Sequence, residues 1–183
     1  MTFLSGPSSE KPPRAADLAI AIRETEPGDA GRLIALQVAY YGTRWDFPAR
    51  FFEAKITREI GEFLARRDDP RNRMWRADDD GTYVGGIAID GSIDPPAALL
   101  RWFILGESAH GNGTGRRLMD AAMAFCHANK LPKIYLATFA GLDAARHLYE
   151  KAGFRLINEY ESTTWGKPLV EQRFECLLDG KQT

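Results

Sequence analysis

The sequence predicts an α/β domain: a mixed, mostly antiparallel central sheet of about seven strands, with helices on both faces. Three observations carry that expectation. Apolar or β-branched runs and amphipathic runs follow one another in the order β, α, α, β, β, β, α, β, α, β, β. The turn DDDG, residues 78–81, joins two strand-like runs and reads as a hairpin. ALLRWFIL, residues 98–105, is apolar nearly throughout, as a strand at the centre of a sheet would be.

Each element has its own local reason. The apolar run Leu18 to Ile22 suits a first strand. PGDAGRLIALQVAYYGTRW then supplies a turn, Asp29 as a cap, and Leu33, Ile34, Val38 and Tyr41 at helical spacing. A second helix begins near Pro48, with Phe51, Phe52, Ile56, Ile60, Phe63 and Leu64 on one broad stripe. RRDDPRNR ends it, and MWRA and TYVGGIAI form the hairpin around DDDG. After ALLRWFIL come a glycine-rich loop and a helix from about Gly115 to Asn129. KIYLATF is a fifth strand, LDAARHLYEKAG a short helix, FRLINEY a sixth strand and LVEQRFECLL a seventh. Two parallel strands flanking a helix make a crossover at the centre of the sheet.

Residues 1–16 hold Pro, Ser and charge without a continuous apolar segment, and read as a disordered tail. Residues 17–180 then form one domain, since 183 residues suffice for one full core and not for two. A formal charge of −1 offers no pull toward nucleic acid or an anionic membrane, and no apolar run reaches the length of a membrane span. Cys126 and Cys176 lie far apart with no CxxC pairing, as buried thiols of a cytoplasmic protein would. His127 and His147 have no metal-ligand spacing, so no metal is expected, and the chain lacks GxSxG.

The chemistry centres on HGNGTGRRLM, residues 110–119. Gly111, Gly113 and Gly115 let the backbone turn sharply and leave its N–H groups open to a ligand. A helix start with exposed N–H groups is an anion site. Arg116 and Arg117 stand at the unfavourable end of that helix dipole, and a docked phosphate would turn them into charge-assisted contacts. The competing reading is a solvated Arg116 paired with Asp120 one turn on. Neither GxGxxG nor GxxxxGK[ST] fits the spacing, which argues against a dinucleotide fold or a P-loop.

FILGESAHGNGTGRRLM, followed about thirty residues later by ARHLYEKAGFRL, resembles the Gcn5-related N-acetyltransferase (GNAT) superfamily. LRWFIL, GLDAARHLYEKAGF and WGKPLVEQRFE resemble, more narrowly, acetyltransferase domains carried behind MarR-like winged helices in bacteria. No nucleic-acid binding is expected, since only a short tail precedes the first strand. The resemblance implies acetyl-CoA as co-substrate, its diphosphate held by His110, Gly111, Asn112, Gly113, Thr114 and Gly115 with Arg116 beside them. It implies that the fourth strand splays from the fifth, with Ile104 and Leu105 pairing with the pantetheine amides and Thr138 on the other wall. It implies Tyr149, in LYxxxGF, as general acid near the thioester sulfur. A phenol with pKa near 10 stays protonated at neutral pH and can donate to a thiolate. His110 departs from the usual Arg or Gln, and Leu142 stands where an Asn often precedes the tyrosine by seven residues.

The expected reaction moves the acetyl group to a primary amine of a small molecule. Tyr40, Tyr41, Asp46 and Glu53, from the first two helices, are the candidates to border the acceptor cleft and supply a base. A non-catalytic acetyl-CoA-binding module and a protein N-terminal or lysine acetyltransferase are the alternatives, and the last would need an open groove across the sheet. Trp165 lies between the last two strands, either closing over the acceptor or packing on a hairpin. Analogy with the family admits a homodimer through the C-terminal strands.

Overall fold

A computed structural model describes residues 20–178. The tail expected over residues 1–16, and Leu18 of the first expected strand, lie outside the described residues.

The chain runs β1 (Ala21–Glu24), α1 (Asp29–Trp45), α2 (Ala49–Leu64), β2 (Asn72–Asp79), β3 (Thr82–Asp94), β4 (Ala97–Leu105), α3 (Thr114–Ala128), β5 (Lys133–Phe139), α4 (Asp143–Lys151), β6 (Arg155–Ser162) and β7 (Leu169–Leu177). A short 3₁₀ turn, Glu107–Ala109, lies between β4 and α3. All seven strands form one sheet in the order β1-β2-β3-β4-β5-β7-β6, and every neighbouring pair is antiparallel except β4–β5. The crossover through α3 makes that pair parallel, as two strands flanking a helix require.

The two faces carry separate cores. Leu118, Met119, Ala122 and Cys126 of α3 and Tyr149 of α4 pack with Ile87, Ile89, Leu100, Ile134 and Phe174. On the opposite face Leu33, Phe52, Ile56, Ile60 and Phe63 of α1 and α2 pack with Met74, Ala88, Ile104 and Phe139. Alternation along the strands separates the two sets: Ile87 and Ile89 face α3, while Ala88 faces α2.

Two local expectations are corrected. β1 begins at Ala21 and runs on to Glu24, because pairing with Trp75 to Asp78 of β2 sets its extent and not the apolar run. Gly28, with φ of 97°, caps α1, and Asp29 is its first helical residue. The Asp29 carboxylate accepts from the Glu26 N–H at 2.8 Å and pairs with Arg76 of β2, so it fastens the helix to the sheet.

Candidate active site

β4 and β5 pair only at Ala98↔Ile134 and Leu99↔Tyr135. Just beyond, β4 bulges: between Gly86↔Ile104 and Ala88↔Arg101, Ile87 of β3 faces two residues, Trp102 and Phe103. Trp102 takes a left-handed φ of 52°. A bulge bends its strand and increases the local twist, so β4 turns away from β5 and the sheet opens. Helices α1 and α2 and the β6–β7 connection close around this opening, leaving a cavity of about 250 Å³.

The glycine loop stands beside the opening. Phe103, a cavity residue, lies where a side chain on Gly115 would meet it at 3.6 Å, and its ring centre is 6.1 Å from that of Tyr149. Gly111 and Gly113 adopt φ of 74° and 80°, which other residues reach only at a cost of about 1–2 kcal/mol. The Asn112 carboxamide accepts from the Thr114 N–H at 3.1 Å and from its hydroxyl at 2.7 Å, holding the first turn of α3 in register. Among the described residues, the N–H groups of Gly111, Asn112, Gly113, Gly115 and Arg116 have no partner. That row of donors, at the positive end of the α3 dipole and with open space around both left-handed glycines, suits a diphosphate.

The residues beside the loop divide. Arg117 donates to the Ile20 carbonyl at 2.5 Å and so ties α3 to the chain before β1. Arg116 is exposed and meets Asp120 at 3.6 Å, a pair weak enough to leave for an anion. The His110 N–H donates to the Glu107 carbonyl at 3.1 Å, closing the 3₁₀ turn. Its ring Nε2 lies 3.1 Å from the Leu105 carbonyl. Gly106 N–H donates to Val84 O at 2.8 Å, so by alternation Ile104 directs its main-chain groups at β3 and Leu105 directs its own at the opening. Of the two, Leu105 is the one with main chain on the cleft side, and the His110 ring already sits on its carbonyl. Thr138 lines the opposite wall. Leu142 caps α4 with no side-chain hydrogen bond, as its place in the Asn position implies.

Tyr149 lines the cavity, is 6% exposed, and its hydroxyl has no hydrogen-bond partner among the described residues. Burial pushes its phenol pKa upward, so the hydroxyl stays protonated at any physiological pH. Of the four residues expected at the acceptor cleft, Tyr41 alone lines the cavity. Burial, and then the neighbouring Tyr149 and Tyr40, push its phenol upward as well, which makes it a donor and no base. Tyr40 packs edge-on against Tyr41, while Asp46, at the end of α1, and Glu53, on α2, are exposed.

The sequence reading missed the carboxylates that do face the cavity. Glu59 of α2 is shared between Lys55 at 2.5 Å and Arg101 at 2.8 Å. Glu171 of β7 is 5% exposed; its Oε2 accepts from the Tyr160 hydroxyl at 3.1 Å, and its buried Oε1 has no partner among the described residues. Trp165 stacks against Phe47, meets Phe52 at a tilt, lies under the Lys55 ammonium, and buries an Nε1–H with no partner among the described residues. The described residues contain no cluster of three or more potential metal ligands, and no helix among them is long and apolar enough to cross a membrane.

Residues 38–154 match the acetyltransferase (GNAT) family. Among solved structures, a protein from Salmonella typhimurium described as a putative acetyltransferase, with its cofactor acetyl-CoA, superimposes with a TM-score of 0.72 at 13% identity, over 90% of this chain and 97% of that one. A ribosomal-protein-alanine N-acetyltransferase from Brucella melitensis gives 0.70 at 18% identity, over 87% and 100%. A chimeric spermidine N-acetyltransferase from Vibrio cholerae gives 0.63 at 21% identity, over 86% and 95%. These likenesses bear out the mixed seven-strand fold.

Proposed function

The chain belongs to the acetyltransferase (GNAT) family, and from that premise we propose that it moves the acetyl group of acetyl-CoA to a primary amine of a small molecule, with Tyr149 as general acid. Acetyl-CoA supplies the activated acyl group. The unpartnered N–H groups from Gly111 to Arg116 hold the diphosphate, and Leu105 and Thr138 flank the pantetheine in the opening between β4 and β5. Tyr149 keeps its proton until a leaving sulfur needs it, because burial disfavours the phenolate.

One observation supports a small acceptor over a protein chain. The β6–β7 connection is drawn down onto α1 and α2: Lys167 donates to the Trp45 carbonyl at 2.9 Å, and Trp165 stacks on Phe47. A protein acceptor needs an open groove across the sheet, and this strap crosses it.

The test is coenzyme A release over a panel of amines, comparing the wild type with Tyr149→Phe. Loss of a general acid lowers kcat by about 10²–10³-fold while coenzyme A affinity stays unchanged. Equal turnover by the variant removes Tyr149 from the chemistry, and tight coenzyme A binding without release on any amine favours a binding module.

A further inference from the structure

We infer that the acceptor is an apolar α-amino acid, its ammonium seated on Glu171 and its carboxylate on the Trp165 indole N–H, with Glu171 as the base that takes the ammonium proton. The inference rests on the acetyl-transfer reading and names the substrate class of that same cavity.

Two residues that line the cavity each bury a polar atom with no partner among the described residues, and the chemistries of the two atoms are opposite. Glu171 Oε1 is an acceptor without a donor, and Trp165 Nε1 is a donor without an acceptor. Leaving either unsatisfied costs about 1–3 kcal/mol, so a ligand that satisfies both is favoured at both ends. The rest of the wall fixes the sign of each end. Lys55 and Arg101 share the single carboxylate of Glu59. The further contact of Arg101, Asp90 at 3.5 Å, is already held in two hydrogen bonds by Arg66. The Lys55 ammonium stands 4.9 Å from the Trp165 ring centre, so the indole ring lies beside two cations that share one carboxylate. A carboxylate suits that end, and a second ammonium does not. The same cavity is lined by Tyr41, Phe47, Phe52 and Phe139, which accept an apolar side chain.

The proton balance is closed by these groups. The ammonium gives one proton to Glu171, which passes it to solvent. The freed nitrogen forms its bond to the acetyl carbon as the carbon–sulfur bond breaks, and Tyr149 protonates the departing sulfur. The second nitrogen proton restores the Tyr149 hydroxyl, leaving an N-acetyl amino acid, a thiol and one released proton.

Calorimetry first measures L-leucine, L-methionine and L-phenylalanine binding to the protein, with and without coenzyme A, against isopentylamine, phenethylamine and spermidine. Coenzyme A release is then measured with the same amines. The amino acids are expected to bind at least about tenfold tighter than their decarboxylated counterparts, the value of one charge-assisted hydrogen bond. Glu171→Gln keeps the size of the side chain and its acceptor for Tyr160. It is expected to lower kcat/KM by about 10²–10³-fold with coenzyme A affinity intact. Trp165→Phe keeps the ring stack and is expected to raise KM for the amino acid about tenfold, with kcat little changed. A preference for the decarboxylated amines or spermidine overturns the inference, as does a Glu171→Gln enzyme as fast as the wild type. Amino-acid binding that Glu171→Gln abolishes, in a protein that releases no coenzyme A, sinks the transferase reading and leaves this site standing.

Discussion

The three alternating glycines look like one device in the sequence, yet they answer to different constraints. A Cβ on Gly113 would meet nothing within 4 Å, so only the backbone angle of 80° resists it. Gly113→Ala is therefore expected to cost about 1–2 kcal/mol of stability and to turn the free N–H groups off their common target. Calorimetry should show coenzyme A affinity falling at least about tenfold, the equivalent of one misaimed hydrogen bond. Gly115 is different: a Cβ there would stand 3.0 Å from Leu148 and 3.1 Å from Leu105, so its constraint is packing of α3 against β4 and α4. Spacing alone could not separate these roles, because the angle and the neighbour are both set by the fold. The same limit hid Glu171. In LVEQRFECL, Gln172, Phe174 and Cys176 face the core, so Glu171, Arg173 and Glu175 read as the solvent face of the strand. The strap carrying Trp165, together with α1 and α2, covers that face at one point and makes Glu171 a cavity residue.

At the level of elements, ion pairs fasten α2 to the sheet beside the cavity. Arg66, two residues past the end of α2, makes two hydrogen bonds to Asp90 of β3 at 2.8 and 2.9 Å, and Arg101 of β4 reaches Glu59 of α2. Asp90 has no exposed side-chain surface. Burial by itself would raise its pKa, but the hydrogen bonds and charge of Arg66, with Arg101 and Ser92, outweigh burial and hold it below the ordinary carboxylate value. The contribution is thus fully present above the unfolded value of about 3.9 and disappears as pH falls through the lower folded value. Asp90→Asn leaves Arg66 without its charged partner. It is expected to cost about 2–4 kcal/mol at pH 7, the lower figure reflecting the part of Arg66 that water reaches. Denaturant melts at pH 7 and pH 3 are the measurement: the gap between wild type and variant should narrow at pH 3, and a gap constant with pH removes the ion pair as its cause. Here the sequence was informative about existence and order. The hairpin, the central strand and both amphipathic helices were legible from periodicity, because packing and pattern agree there. The bulge at Trp102 was not, since nothing in ALLRWFIL marks which residue takes the left-handed angle.

The whole molecule is a sheet joined weakly at its centre. Four strands lie on one side of the β4–β5 seam and three on the other, and the seam carries two residue pairs. The remaining edges of β4 and β5 present main-chain groups to the cavity, so apo protein holds its halves together mainly through α3 crossing one face and α2 and the strap on the other. A ligand whose amide-bearing arm lies along the seam adds the missing rungs, while its diphosphate adds the contacts the loop leaves open. Coenzyme A at about one hundred times its Kd then stabilises by about 2.7 kcal/mol, which in a chain of this length raises Tm by about 5–10 °C. Hydrogen exchange gives the location: protection is expected to rise from Leu100 to Leu105, from Leu136 to Phe139 and from Gly111 to Arg116, with β1 and β2 unchanged. In Gly113→Ala a tenfold weaker Kd leaves about 1.4 kcal/mol at the same ligand concentration, so the shift should fall to about half while the seam is intact. A full shift in that variant, or protection that rises uniformly over the sheet, would mean that the ligand binds elsewhere and that the seam is closed by the protein's own packing.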